Sequence, residues 1–180
     1  LAASRIRGLQ SNGVAACAKH FPGLGAVPRD PHRELPTITL GWDVMERVHL
    51  APFRAAIEAG VAMVMSSHVC YPALGDPPGL PATFSAGLIR ELLRKRMGFA
   101  GLILTDDLEM GALGRFGTMG EVAVRAAAAG HDLLLICSDL SRAREAFLSL
   151  RNSYNNNSLD RSELEKSAER LSNLRREFSL

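Results

Sequence analysis

At 180 residues the chain can bury one substantial core, and 47% apolar with 22% charged residues is ordinary for a globular protein. A net charge of +2 with no basic block before the tail argues against nucleic acid and membrane surfaces as partners, Arg175 and Arg176 reading as a solvated helix face. No run approaches the roughly 18 apolar residues that span a bilayer, and no charged-then-apolar leader opens the chain, although it starts at Leu1 and a native N-terminus with a signal can lie upstream.

In chain order, residues 14–18 are continuously apolar and read as a buried strand. A helix over 44–59 follows, with Val48, Phe53, Ala56 and Ile57 on one side and Gly60 as its C-cap. Residues 61–66 repeat the strand pattern, and Ser85 is placed to N-cap a helix through Met97 that Gly98 ends. The third strand covers 102–105, a helix over 121–129 stops at Gly130, and the fourth strand covers 132–137. A helix over 141–150 precedes a loop of Asn155, Asn156 and Asn157, and an amphipathic helix over 160–178 ends a terminal helical tail, 151–180. Cys17, Cys70 and Cys137 are odd in number, dispersed and without CxxC spacing, which fits a reducing, cytoplasmic compartment; Cys17 and Cys137 lie in apolar runs and read as small buried hydrophobes.

Four β-α repeats imply an α/β fold with a parallel sheet and right-handed crossovers, without a second domain or linker. Neither GxGxxG nor GxxxxGK[ST] is present, so the phosphate loops that accompany doubly wound sheets are missing. Lys19 with His20, His68, and Asp106 with Asp107 each follow a strand, the catalytic face of a TIM-type barrel. An open α/β sheet would also gather ligands there.

Each cluster has a plain reading beside a chemical one. Asp106 and Asp107 must point differently if the strand continues, so one can face the axis while the other caps a turn. Asp30, two residues before His32 on a loop rich in Pro and Gly, can accept from the imidazole and fix its tautomer, or the pair can be surface decoration. Lys19 and His20 offer donors to sugar hydroxyls or an ion pair in the barrel mouth. His68 is a substrate contact or a satisfied structural histidine. A metal-dependent hydrolase on His20, His32 and Asp106 matches no compact ligand spacing.

Taken in order, the segments Lys19-His20-Phe21-Pro22-Gly23-Leu24-Gly25, Asp30-Pro31-His32 and Leu35-Pro36 resemble the KHFPGHG, DSH and LP signature of bacterial family 3 glycoside hydrolases of the β-N-acetylhexosaminidase type. Pro52-Phe53, Ser67-His68-Val69, Tyr71-Pro72, Pro81-Ala82-Thr83, Ser85, Leu92-Leu93-Arg94 and the stretch Gly101 to Asp106 keep that family's order. The resemblance implies a (β/α)8 TIM barrel and a retaining, two-step removal of terminal β-linked N-acetylglucosamine, as in muropeptide recycling. Asp106 would be the nucleophile and His32, oriented by Asp30, the acid/base. Lys19, His20 and His68 would bind the sugar, and neither cofactor nor metal is implied. Family β-glucosidases lack the loop DxH, and phosphorolysis remains open within the branch.

Leu24, Pro31 and Glu109 depart from the family pattern. A barrel needs about 250 residues and eight strands, whereas four are expected here, by the family's order the fifth to eighth. The chain is therefore expected to be the C-terminal half of a barrel, inactive without the N-terminal half as its partner. The alternative is a non-catalytic half-barrel that binds sugar or assembles with another chain.

Overall fold

A computed structural model describes residues 1–27 and 34–179. The aliphatic runs form four parallel strands, β1 (Cys17–Phe21), β2 (Met63–Ser66), β3 (Leu102–Asp107) and β4 (Leu133–Leu135), hydrogen-bonded in the order β1-β2-β3-β4. Parallel neighbours need a crossover, and helices supply each one. Helix α1 (Ala2–Gln10) precedes the sheet. From β1 to β2 the chain runs through α2 (Trp42–Val44), a π-helical stretch (Met45–Leu50) and α3 (Ala51–Glu58). A π-helix (Gly87–Arg96) joins β2 to β3, and α4 (Met119–Ala129) joins β3 to β4. Helices α5 (Leu140–Asn155) and α6 (Arg161–Phe178) follow the sheet.

The helix starts are chemically specified. Thr118 and Glu121 form a reciprocal capping box on α4, and the Asp139 and Asp160 carboxylates accept from the first N–H groups of α5 and α6. Ser85 Oγ accepts from Leu88 N at 2.9 Å at the head of the π-helix. Gly130 ends α4 at φ 113°, a left-handed conformation that disfavours any side chain.

Three apolar layers hold the elements together. Val64 and Ile103 on the outer face of the sheet share one cluster with Ile6 of α1, Phe53 of α3, and Leu88, Ile89 and Leu93 of the π-helix. Phe84, Leu113, Val122 and Ala126 pack α4 against Ala146 of α5. Leu174 and Phe178 of α6 lie on Leu102, with Ala15, Ala62, Met63 and Leu133 alongside, so α6 covers the strand starts. Its position is pinned by Asp132, 1% exposed at the side chain, which pairs with Arg94 and with Arg170 and accepts from Ser167 Oγ at 2.7 Å.

The expected strands exist, with shifted ends. Residues 14–16 link α1 to the sheet, Val14 N bonding Leu9 O and Ala16 O accepting from Met63 N; the first strand starts at Cys17 and contains Lys19 and His20 instead of preceding them. Strand β3 extends through both aspartates, and β4 is shorter than expected. Cys137 is exposed, not buried, because it lies past the end of β4, the last strand of the sheet; Cys17 is half-buried and Cys70 buried. Helix α1 was not expected. Arg175 and Arg176 are exposed, as a solvated helix face requires. Among the described residues no helix is long and apolar enough to cross a membrane.

Candidate active site

Strand β3 ends where two aspartates must separate. Thr105 is buried on the outer face and its Oγ1 accepts from Leu135 N at 3.0 Å, so strand alternation turns Asp106 inward. Asp106 Oδ1 accepts from Asp107 N at 2.9 Å, and Oδ2 lies 3.3 Å from His20 Nε2, both side chains being 23% exposed. Asp107 does different work: its Oδ1 accepts from Glu109 N at 3.1 Å and shapes the turn beyond the strand. Glu109, which departs from the family pattern, accepts from Ser138 N at 2.6 Å and so ties this turn to the one after β4.

A local irregularity in β1 brings His20 to Asp106. Lys19 pairs with Met65 and Phe21 with the very next residue, Ser66, leaving His20 as an inserted residue on β1. Ala16, Ala18 and Phe21 belong to the outer core. Simple alternation from 16 and 18 would send His20 into that core as well. The bulge instead leaves Lys19 and His20 together on the inner face, the re-aiming that bulges commonly provide beside active sites. The β3 ladder is also irregular between Leu104 and Asp107, bracketing Asp106. The Lys19–His20 and Phe21–Pro22 peptide bonds are both cis.

The segment after β2 anchors both described flanks of the loop that carries Asp30 and His32. Ser67 N bonds Phe21 O, and the buried Tyr71 donates its hydroxyl to Gly23 O at 3.1 Å. On the other side, Cys70 N bonds Pro36 O and Ile38 N bonds Cys70 O, both at 2.9 Å. Burial holds the Tyr71 hydroxyl above its ordinary pKa, consistent with a neutral donor. Asp30 and His32 themselves lie outside the described residues.

His68 is placed differently from Lys19 and His20. Its side chain is buried, with Nε2 2.9 Å from the Asp107 carbonyl and Nδ1 2.6 Å from Thr83 Oγ1. Burial lowers its pKa below the ordinary value, favouring the neutral ring. A carbonyl can only accept, so the ring proton sits on Nε2.

The structure thus groups Lys19, His20 and Asp106 on the inner face at the strand ends, with His68 directly behind. A carboxylate flanked by a histidine at this position can act as a nucleophile, or as a hydrogen-bond acceptor for a polyol. Among the described residues no three His, Cys, Asp or Glu side chains converge as a metal site. A cavity of about 700 Å³ lies to one side, along the free edge of β1 between α1 and α3; it shares Lys19 and His20 with the site, but its walls are mainly apolar, including Ile6, Leu9 and Phe53. Sequence reasoning did not find the roles of Thr83, Tyr71 and Glu109. Thr83 and Tyr71 stood inside matching motifs, but nothing in their local pattern indicates which distant atoms they meet.

Residues 1–174 match the family described as the glycosyl hydrolase family 3 N terminal domain. The chain is 40% identical over 151 residues to a β-hexosaminidase of Nitrosomonas eutropha, covering 84% of this chain and 42% of that one. It superposes on a family 3 β-N-acetylglucosaminidase from Paenibacillus sp. str. FPU-7 with a TM-score of 0.95 at 40% identity, covering 98% of this chain and 34% of that one. A β-glucoside phosphorylase superposes with a TM-score of 0.90 at 25% identity over 98% of this chain and 33% of its own. The chain therefore spans well under half the length of these relatives.

Proposed function

The chain belongs to glycosyl hydrolase family 3, and on that premise we propose that it carries the catalytic groups of a retaining enzyme removing terminal β-linked N-acetylglucosamine, with muropeptides as a substrate class. Asp106 attacks the anomeric carbon while the bond to the leaving oxygen breaks and His32 gives that oxygen its proton. Neutral His32 then takes a proton from water, the water oxygen bonds to the anomeric carbon, and Asp106 departs as a carboxylate. Asp30 orients His32, and Lys19 and His20 hold sugar hydroxyls. The observation that carries this reading is the Asp106 carboxylate on the inner face of β3, with Oδ2 3.3 Å from His20 Nε2.

The four strands are, on this reading, the fifth to eighth of an eight-stranded barrel. The uninterrupted parallel order supports it: among the described residues β1 and β4 each have one neighbour and can accept another strand. The groups on the first four strands that grip the sugar then lie outside this chain, and turnover belongs to the complete barrel. In the complete enzyme, Asp106→Asn should lower kcat/KM on an aryl β-N-acetylglucosaminide by about 10³-fold or more, and unchanged turnover would refute the nucleophile. A second reading, phosphorolysis, is favoured by the likeness to the β-glucoside phosphorylase; added phosphate would then divert the product to the sugar 1-phosphate.

A further inference from the structure

The exit of β3 is held by bonds from the turn beyond it and from the end of β2. The β3–β4 ladder loses its register between Leu104 and Asp107, and the carbonyl of Asp107 accepts from Met110 N at 3.1 Å in the turn beyond the strand. His68, arriving from the end of β2, braces the same carbonyl with a second bond through Nε2 at 2.9 Å. Asp107 in turn gives its own N–H to Asp106 Oδ1 at 2.9 Å. Asp107, the residue beyond the nucleophile, is therefore held at its carbonyl by His68 together with the Met110 N–H, while its own N–H holds the carboxylate.

Thr83 fixes the ring from behind. Its hydroxyl lies 2.6 Å from His68 Nδ1 and 3.1 Å from the Ser67 carbonyl, with one proton for the two. A neutral ring protonated at Nε2 takes that proton at Nδ1, which locks the tautomer the Asp107 carbonyl requires. Both ring nitrogens are committed to protein groups and the residue is 1% exposed, so the imidazole has no face to offer a sugar.

We infer that His68 is a positioning residue: through the Asp107 peptide it sets the direction of the Asp106 carboxylate, and it does not contact substrate. This rests on the nucleophilic role given to Asp106 above. Displacing a reacting group by about 1 Å costs on the order of 100-fold in rate, so loss of this brace lowers kcat and leaves sugar affinity in place.

The test compares two amides in the complete enzyme. His68→Gln can carry an N–H to the Nε2 position and keep the bond to Asp107, whereas His68→Asn reaches only the Nδ1 position beside Thr83. Expected are a kcat about 10- to 100-fold below wild type for His68→Asn, recovery to within about 5-fold for His68→Gln, and a Kd for N-acetylglucosamine within about twofold of wild type for both. Equal kcat values for the two variants, or a Kd that rises in step with the fall in kcat/KM, would overturn the inference. Should neither variant fold, Thr83→Val leaves His68 in place but removes the tautomer lock; it must lower kcat at constant Kd, and an unchanged kcat refutes the brace. Asp106→Asn run in parallel separates the two levels. An active Asp106→Asn overturns the nucleophile assignment, while an inactive one beside a fully active His68→Asn overturns only the positioning role.

Discussion

Lowering the pH from 7 to 4 should destabilise the chain through His131. This ring is buried, with Nδ1 3.0 Å from the Ala126 carbonyl and Nε2 2.8 Å from Ser66 Oγ. The carbonyl fixes the proton on Nδ1, so Nε2 accepts from the Ser66 hydroxyl and the folded ring is neutral. Burial lowers its pKa from 6.5 to about 4, outweighing the hydrogen bond to Ala126 and the charge of Asp132, which act the other way. Between those values the unfolded chain binds a proton that the folded chain does not. Stability therefore falls as the pH drops from about 6.5, and the loss is complete below about 4. At about 1.4 kcal/mol per pH unit the loss is about 3 kcal/mol, a large part of the roughly 5–15 kcal/mol that holds a typical domain. Urea unfolding of wild type and His131→Gln at a series of pH values reads the effect directly. Whatever stability the variant starts from, its curve should be flatter by about 3 kcal/mol over this range. Parallel curves would show that His131 does not titrate differently in the two states.

Asp132→Ala removes a buried carboxylate that serves Arg94, Arg170, Ser167 Oγ and Ile103 N at once. The half-buried Arg94 guanidinium, already lowered to about 10 by desolvation, is left without its counter-charge, and a loss of about 3–5 kcal/mol in denaturant unfolding is expected; a loss under about 1 kcal/mol would show the clasp to be dispensable. Gly120→Ala places a methyl group against Ser149, whose Cβ would stand 2.9 Å away. Helix α5 must then shift from α4, costing about 1–2 kcal/mol despite the better helix propensity of Ala, and an unchanged melting temperature would contradict the packing described.

Much of the architecture was legible because the strands are covered on one face by helices and closed by glycine. Gly60, Gly98 and Gly130, all at positive φ, marked helix ends that the structure keeps within a residue or two. The strand ends were less legible. Residues 14–16 are apolar enough for a strand, yet the turn that closes α1 claims Val14 N, and the bonding to β2 begins with the Ala16 carbonyl at Met63 N, a competition that hydropathy does not register. The site divides in the same way. Asp106 was readable as the end of a buried strand, and its divergence from Asp107 follows from alternation. His20 was readable only as a motif residue, because alternation alone points it into the outer core and a one-residue bulge reverses it. His68 kept two readings from sequence, since the partners that engage it, Thr83 and the Asp107 carbonyl, lie 15 and 39 residues away.

The central claim is that Asp106 becomes covalently attached to the sugar. Acid quenching of the complete enzyme during turnover of a slowly deglycosylating aryl β-N-acetylglucosaminide, followed by proteolysis and peptide mass analysis, tests it most directly. A single N-acetylhexosamine increment on Asp106, absent from Asp106→Asn, is the result expected. A glycosyl adduct on another residue, or steady turnover with none at any quench time and an inverted first-formed anomer, would contradict the account.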